Sequence, residues 1–261
     1  MVRSAVLPVV FLAATGCSAV VGSSEGADAQ SASVTGVVVV ERTVSDSSPQ
    51  RGEASARFVR FRGALDDGML RLVGAGLDLP AVGECSVASD RAAARSVELL
   101  DVGSVSIESL GTGDHVNLAP RQVPDVVDLV SGTMYSARID DTAVPSDADV
   151  AVVVAGSADV PAFSVRTKTP EPPADVELAG LDAASADLTW TAAGADAIYV
   201  DVDGASRCSF SDEGHASLPS SLFSDQGTLA VHRLHREKLS IPGLDGGEVR
   251  FDFARTISYR R

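Results

Sequence analysis

Lysine is almost missing from this 261-residue chain: Lys168 and Lys238 are the only two, so arginine supplies nearly all of the 21 positive charges that face 36 acidic ones. The scarcity fits GC-rich coding better than a function. The net charge of −15 repels phosphate backbones and anionic lipid, which argues against nucleic-acid binding and favours solubility on a crowded surface. Long apolar runs are missing too. No segment beyond the N-terminus approaches the eighteen or so apolar residues of a membrane-spanning helix, so the remainder is expected to lie on one side of a membrane. No Gly-x-Ser-x-Gly elbow occurs, and apart from Arg91 to Leu100, where Ala92, Ala93 and Ala94 could start a turn, nothing shows helical periodicity.

What the chain does have begins at its start. Arg3 precedes an apolar run from Ala5 to Ala14, followed by Thr15, Gly16 and Cys17. About ten apolar residues are half of what a bilayer requires, so the run reads as an export signal. The segment resembles a bacterial lipoprotein signal. That resemblance implies cleavage after residue 16, a lipid on the Cys17 thiol and acylation of the new N-terminus, with acyl chains enough to hold the protein on a membrane. The alternative is an ordinary cleaved signal followed by a chance cysteine. Removing residues 1–16 deletes one charge, Arg3, and takes −15 to −16. Residues 17–32 form the lipid anchor and a tether of Ser, Gly, Ala and a few acids, a composition that cannot bury a core.

The rest is expected to be all-β, as two β-sandwich-like domains in tandem. A 45% apolar content is ample for a core. Short Val-rich runs separated by turn residues recur at strand spacing: Val37 to Val44, Arg57 to Arg62, Met69 to Val73, Ser96 to Val102, Val105 to Glu108, Val116 to Leu118, Met134 to Ile139 and Val150 to Ala155. Residues 168–174, with three prolines in four positions, mark a linker between a β-rich domain at 33–167 and a second domain at 175–261. In the second domain Val249, Phe251, Phe253, Ile257 and Tyr259 share one parity, while Arg250, Asp252, Thr256 and Ser258 share the other, predicting one buried and one wet face. Ile198, Val200 and Val202 alternate in the same way with Tyr199, Asp201 and Asp203. Leu188 and Trp190 upstream of that strand resemble the early strands of fibronectin type III and immunoglobulin-like sandwiches, which implies that architecture for 175–261.

Polar candidates are few, and none forms a catalytic set. Cys85 and Cys208 remain after lipidation of Cys17, and in an oxidising compartment they could pair; two buried thiols are the alternative. His232 and His235, three apart on a strand, point to opposite faces and make a poor metal site. Asp114 and His115 supply the acid and base of a triad with no nominated nucleophile. Asp201, Asp203 and Gly204 match the start of a calcium loop without its closing glutamate, and Asp140, Asp141, Asp147 and Asp149 flank a loop. The basic segment from His232 to Lys238 either blocks an exposed edge or docks an acidic partner or the acidic first domain.

Taken whole, the chain resembles lipoproteins of GC-rich Gram-negative bacteria, through Cys17, through Leu77 to Pro80 ahead of Cys85, and through Arg207 and Cys208 followed by Asp212, Glu213 and Gly214. The resemblance implies an envelope protein, lipid-anchored and extracytoplasmic at the outer membrane, and implies no activity. The expectation is a non-catalytic structural or partner-binding role without cofactor or metal. Its partners are the membrane, through Cys17, and an envelope protein or glycan. An envelope hydrolase and a pure spacer are the alternatives.

Overall fold

Branched Val side chains fit a pleated, half-buried surface better than a helix, and strands account almost entirely for the regular structure of the described residues. The computed structural model describes residues 32–45, 48–62, 76–87, 97–126, 130–140 and 142–261. The chain divides into Met1–Gln30 and Ser31–Arg261, of which the first lies wholly outside the described residues. The strands are β1 (Ala32–Ser45), β2 (Ser48–Arg62), β3 (Cys85–Val87), β4 (Val97–Leu99), β5 (Val105–Ser109), β6 (His115–Val126), β7 (Val130–Ile139), β8 (Asp149–Val154), β9 (Phe163–Lys168), β10 (Glu177–Ala179), β11 (Ser185–Thr189), β12 (Ala197–Val202), β13 (Ser206–Phe210), β14 (His215–Pro219), β15 (Gln226–Lys238) and β16 (Gly246–Arg260). The protein is all-β. Among the described residues the only helical element is a 3-10 turn at Ser220–Leu222, and no helix is long and apolar enough to cross a membrane.

Thirteen strands form one sheet in the order β3-β13-β12-β15-β16-β1-β2-β4-β7-β6-β5-β8-β9, and β10-β11-β14 form a second. The large sheet folds over on itself because β6 changes partner along its length. His115 to Leu118 pair with β5, and from Ala119 onward the strand pairs with β7. This brings Val105, Ile107, Val150, Val152 and Val154 against Val38, Val40, Phe58, Phe251 and Phe253 in one core. Beyond β9, β10-β11-β14 cover β13-β12-β15-β16 around a second core of Leu188, Trp190, Ile198, Val200, Leu218, Leu229 and Val231. Both are two-layer packings of β-sheets.

The two cores share a strand. The first part of β16 contributes Val249, Phe251 and Phe253 to the first core, and Tyr259, near its end, belongs to the second. β1 lies parallel to β16, from Thr35 opposite Gly246 to Ser45 opposite Thr256, and antiparallel to β2. Residues 169–176, which include most of the Pro-rich stretch, form no strand. They are held along their length: Arg233 donates to the carbonyls of Glu171 (3.1 Å) and Pro172 (3.3 Å), and Arg255 to that of Pro173 (2.8 Å).

Several expected strands are found with shifted ends, because hydrogen-bonded pairing continues past the apolar run that marks a strand in sequence. Val37 to Val44 widens to β1, and Ser96 to Val102 narrows to β4, while Met69 to Val73 lies outside the described residues. Gly132 shows why β4 can enter beside β7. Its φ of +115° suits glycine, and a Cβ there would collide with the Leu99 carbonyl. One expectation is overturned: Arg250 and Asp252 are 2% and 4% exposed, not wet. β16 sits between β15 and β1, and the polar side of this part of the sheet is filled with counter-charges.

Candidate functional site

Strand alternation puts Asp252 on the side of the sheet opposite Phe251 and Phe253. There β12, β13 and β15 each add a polar group. Asp252 Oδ2 accepts the Tyr199 hydroxyl, and Oδ1 lies 2.8 Å from His232 Nδ1. The other ring nitrogen, Nε2, is 3.8 Å from Asp201 Oδ2. The His232 and Tyr199 rings stack with centroids 4.1 Å apart, as expected for residues directly opposite across the β12–β15 ladder. Asp201 receives a two-pronged contact from Arg207, at 2.7 Å from Nε and 2.8 Å from Nη2. The same guanidinium lies over the Tyr199 ring, 4.9 Å from its centroid, and Nη1 donates to the Leu77 carbonyl at 2.5 Å. The charged row continues onto β1 and β2, where Glu41 stands opposite Asp252 and Glu53 opposite Glu41.

The electrostatics favour fixed protonation states. Burial pushes the Asp252 carboxyl up, but the hydrogen bond and charge of His232, with the Tyr199 hydroxyl, outweigh it and hold Asp252 below the usual carboxylate range. Burial, and then the charge of Asp252, raise the Tyr199 phenol well above its ordinary value, so it remains a donor. Arg207 is held high, first by its bond to Asp201. Glu41 keeps part of its side chain at the surface, yet crowding around the carboxyl and then the negative Asp252 push it up. This arrangement holds protons in place. It links four strands through charge-assisted bonds, which are the strong ones in a low-dielectric setting.

A second buried charge pair braces the other face of β15. Arg233 Nε is 3.2 Å from Asp212 Oδ2, and both side chains are 1% exposed. Asp212 also accepts the Trp190 indole N–H (2.7 Å) and the backbone N–H of Ala193 (3.1 Å) and Ala195 (3.0 Å). Tyr259 and Tyr135 close the ends of the two cores in similar fashion. Tyr259 donates to Asp203 at 2.5 Å, and Tyr135 donates to Asp101 at 2.7 Å while accepting the Val102 N–H. Burial and the Asp101 contact push the Tyr135 phenol up to about 12.

The residues singled out in the sequence are dispersed. Cys17 lies outside the described residues, as does Asp141. Cys85 and Cys208 stand opposite each other on β3 and β13 and are bonded, with sulfurs 2.03 Å apart. Asp114 and His115 are exposed where β5 turns into β6. Asp201 and Asp203 turn to different partners, Arg207 and Tyr259. Asp140 caps the N–H groups of Thr142 and Ala143, and Asp147 pairs with Lys168 at 2.5 Å. His235 faces Asp196 at 3.3 Å. Among the described residues no group of three His, Cys, Asp or Glu side chains is placed to hold a metal. The basic segment is divided: His232 and Arg233 lie where β15 pairs with both β12 and β16 and meet Asp252 and Asp212, while His235 to Lys238 lie beyond the β12 ladder, paired with β16, and His235 meets the exposed Asp196. Sequence reasoning missed Tyr199, Asp252, Asp212 and Arg233. The one available signal was the density of basic residues on β15 in so acidic a chain. No protein-family model matches the chain, and no curated protein matches it.

Proposed function

We propose that this chain is an exported, lipid-anchored protein of the cell envelope, tethered at the outer membrane through Cys17, whose β-sandwiches hold a partner protein or glycan without catalysing a reaction. The observation that carries the reading is the Cys85–Cys208 bond, which closes a separation of 123 residues and suits an oxidising compartment. The export signal and its terminal cysteine support the same address. A non-catalytic role is supported by where the acids and bases are used: Asp252, Asp212, Asp203 and Asp101 each hold a buried donor that would otherwise be orphaned. The C-terminal half supports an immunoglobulin-like or fibronectin type III reading. Its first, second and fifth strands form one sheet, and its third, fourth, sixth and seventh lie in the other.

Replacing Cys17 with Ser tests the anchor. The variant should leave the membrane fraction and lose incorporation of labelled palmitate, while intact cells should still yield a protein whose Cys85 and Cys208 resist alkylation until reduced. Wild-type protein without label, or with both thiols free in cells, refutes the reading.

A further inference from the structure

The described residues 76–87 are loosely built into the fold. None of them is buried, and Val82 and Val87, at 67% and 76% exposed, are the most exposed large apolar side chains among the described residues. The segment ends in β3, which among the described residues is the terminal strand of the large sheet and pairs from Cys85 opposite Cys208 to Val87 opposite Ser206. Gly83 donates to the Ser209 carbonyl (2.7 Å), Ser209 donates to that of Glu84 (3.1 Å), and Arg207 reaches the Leu77 carbonyl. Beside these contacts lies an open hollow of about 340 Å³ lined by Leu77, Asp78, Pro80, Ser86, Val87 and Arg207. Leu77, Leu79 and Pro80 are only half-buried and residues 81–87 are all exposed, which places such a segment toward the low end of local stability.

The disulfide is asymmetric in the same sense. Cys208 is fully buried in the second core, whereas Cys85 is exposed. We infer that the Cys85–Cys208 bond is a reducible latch: its cleavage releases residues 76–87 from β13 and uncovers that strand's edge, while the two cores stay folded. This goes beyond the envelope-binding reading and does not depend on the anchor. The chemistry is exchange with a dithiol reductant. One thiolate of the reductant attacks the Sγ of Cys85, the exposed residue of the pair, forming a mixed disulfide and breaking the Cys85–Cys208 bond. Cys208 Sγ leaves with the electron pair and takes up a proton. The second thiol of the reductant then displaces Cys85 as a thiol, so the reductant is oxidised to its disulfide as both cysteines are reduced. The reduced Cys208 stays in place as a small apolar group among Val200, Leu229 and Val231. The β12–β13 ladder, from Ile198 opposite Phe210 to Val202 opposite Ser206, does not involve the released segment.

Hydrogen exchange on the full chain, oxidised and after reduction by dithiothreitol without denaturant, tests the latch. Reduction should speed exchange at 83–87 and 206–210 by about tenfold or more, with β1, β15 and β16 unchanged, and Cys85→Ser should reproduce the reduced pattern. Three results overturn the inference: a bond that dithiothreitol cannot reach in the native protein, unchanged protection at 206–210 after reduction, or loss of protection throughout the chain.

Discussion

Replacing Asp252 with Ala removes the acceptor on which Tyr199 and His232 converge. Asp252 and Tyr199 are 4% and 2% exposed, so water cannot readily stand in for the lost oxygens. Two orphaned donors at about 1–3 kcal/mol each give a loss of about 2–6 kcal/mol, a large share of an ordinary domain's stability. Tyr199→Phe, which removes one donor and keeps the ring stacked on His232, should cost only about 1–2 kcal/mol. In the double variant the position 199 hydroxyl is already gone and cannot be orphaned, so the combined loss should fall short of the sum by about 1–3 kcal/mol. Urea unfolding at neutral pH with the disulfide intact measures all three, and Trp190, the single tryptophan and 5% exposed, is a built-in reporter. A loss below about 1 kcal/mol for Asp252→Ala, or strict additivity, refutes the claim that this carboxylate organises the polar face.

The same group gives a pH signature. Its folded pKa lies below the unfolded value of about 3.9, so the stability it contributes is complete above that value and is lost as pH falls through the folded pKa; Asp252→Asn should flatten the acid limb of the stability profile measured by urea unfolding. Phe251, fully buried and edge-on to Phe253 with centroids 6.2 Å apart, should cost about 3–5 kcal/mol when cut to Ala. Because β16 serves both cores, the Trp190 fluorescence transition should move together with the far-ultraviolet one, and a Trp190 midpoint that stays put would show that the cores unfold separately.

The all-β class was legible because period-two alternation is local. Ile198 to Val202 announces a strand by alternation and Val150 to Val154 by a short Val-rich run, and the strand-and-turn rhythm leaves no room for helices. The pairing of β1 with β16 was not legible. It joins residues 211 positions apart, as in the bond from Thr35 to the Gly246 carbonyl, and no short window of sequence encodes which distant strand completes a sheet. The polar network was hidden for a related reason. Alternation correctly put Arg250 and Asp252 on the face opposite Phe251, but whether that face is wet depends on what β12 and β15 bring to it. Tyr199 and His232 come from elements that periodicity alone cannot align. Of the acids around Asp140 and Asp147, one caps a turn and the other pairs with Lys168, partners that composition does not reveal.

The position of β1 bears on how a lipid-anchored version of this fold would carry load. β1 is the first described strand after the expected tether, and it is bonded along both edges, to β16 on one side and to β2 on the other. A strand at a sheet edge can be peeled away one bond at a time. A central strand pulled along its length must shear two ladders at once, together with the burial of Val38 and Val40, both fully enclosed. The opposite arrangement holds at the far end of the same sheet, where β3 is short, terminal and fastened by a bond that can be reduced. Strength is therefore placed where the proposed anchor enters, and the weakest attachment lies five ladders away, across β16, β15, β12 and β13. Under the proposed anchoring, the latch at β3 can open without loosening the strand that ties the protein to the membrane.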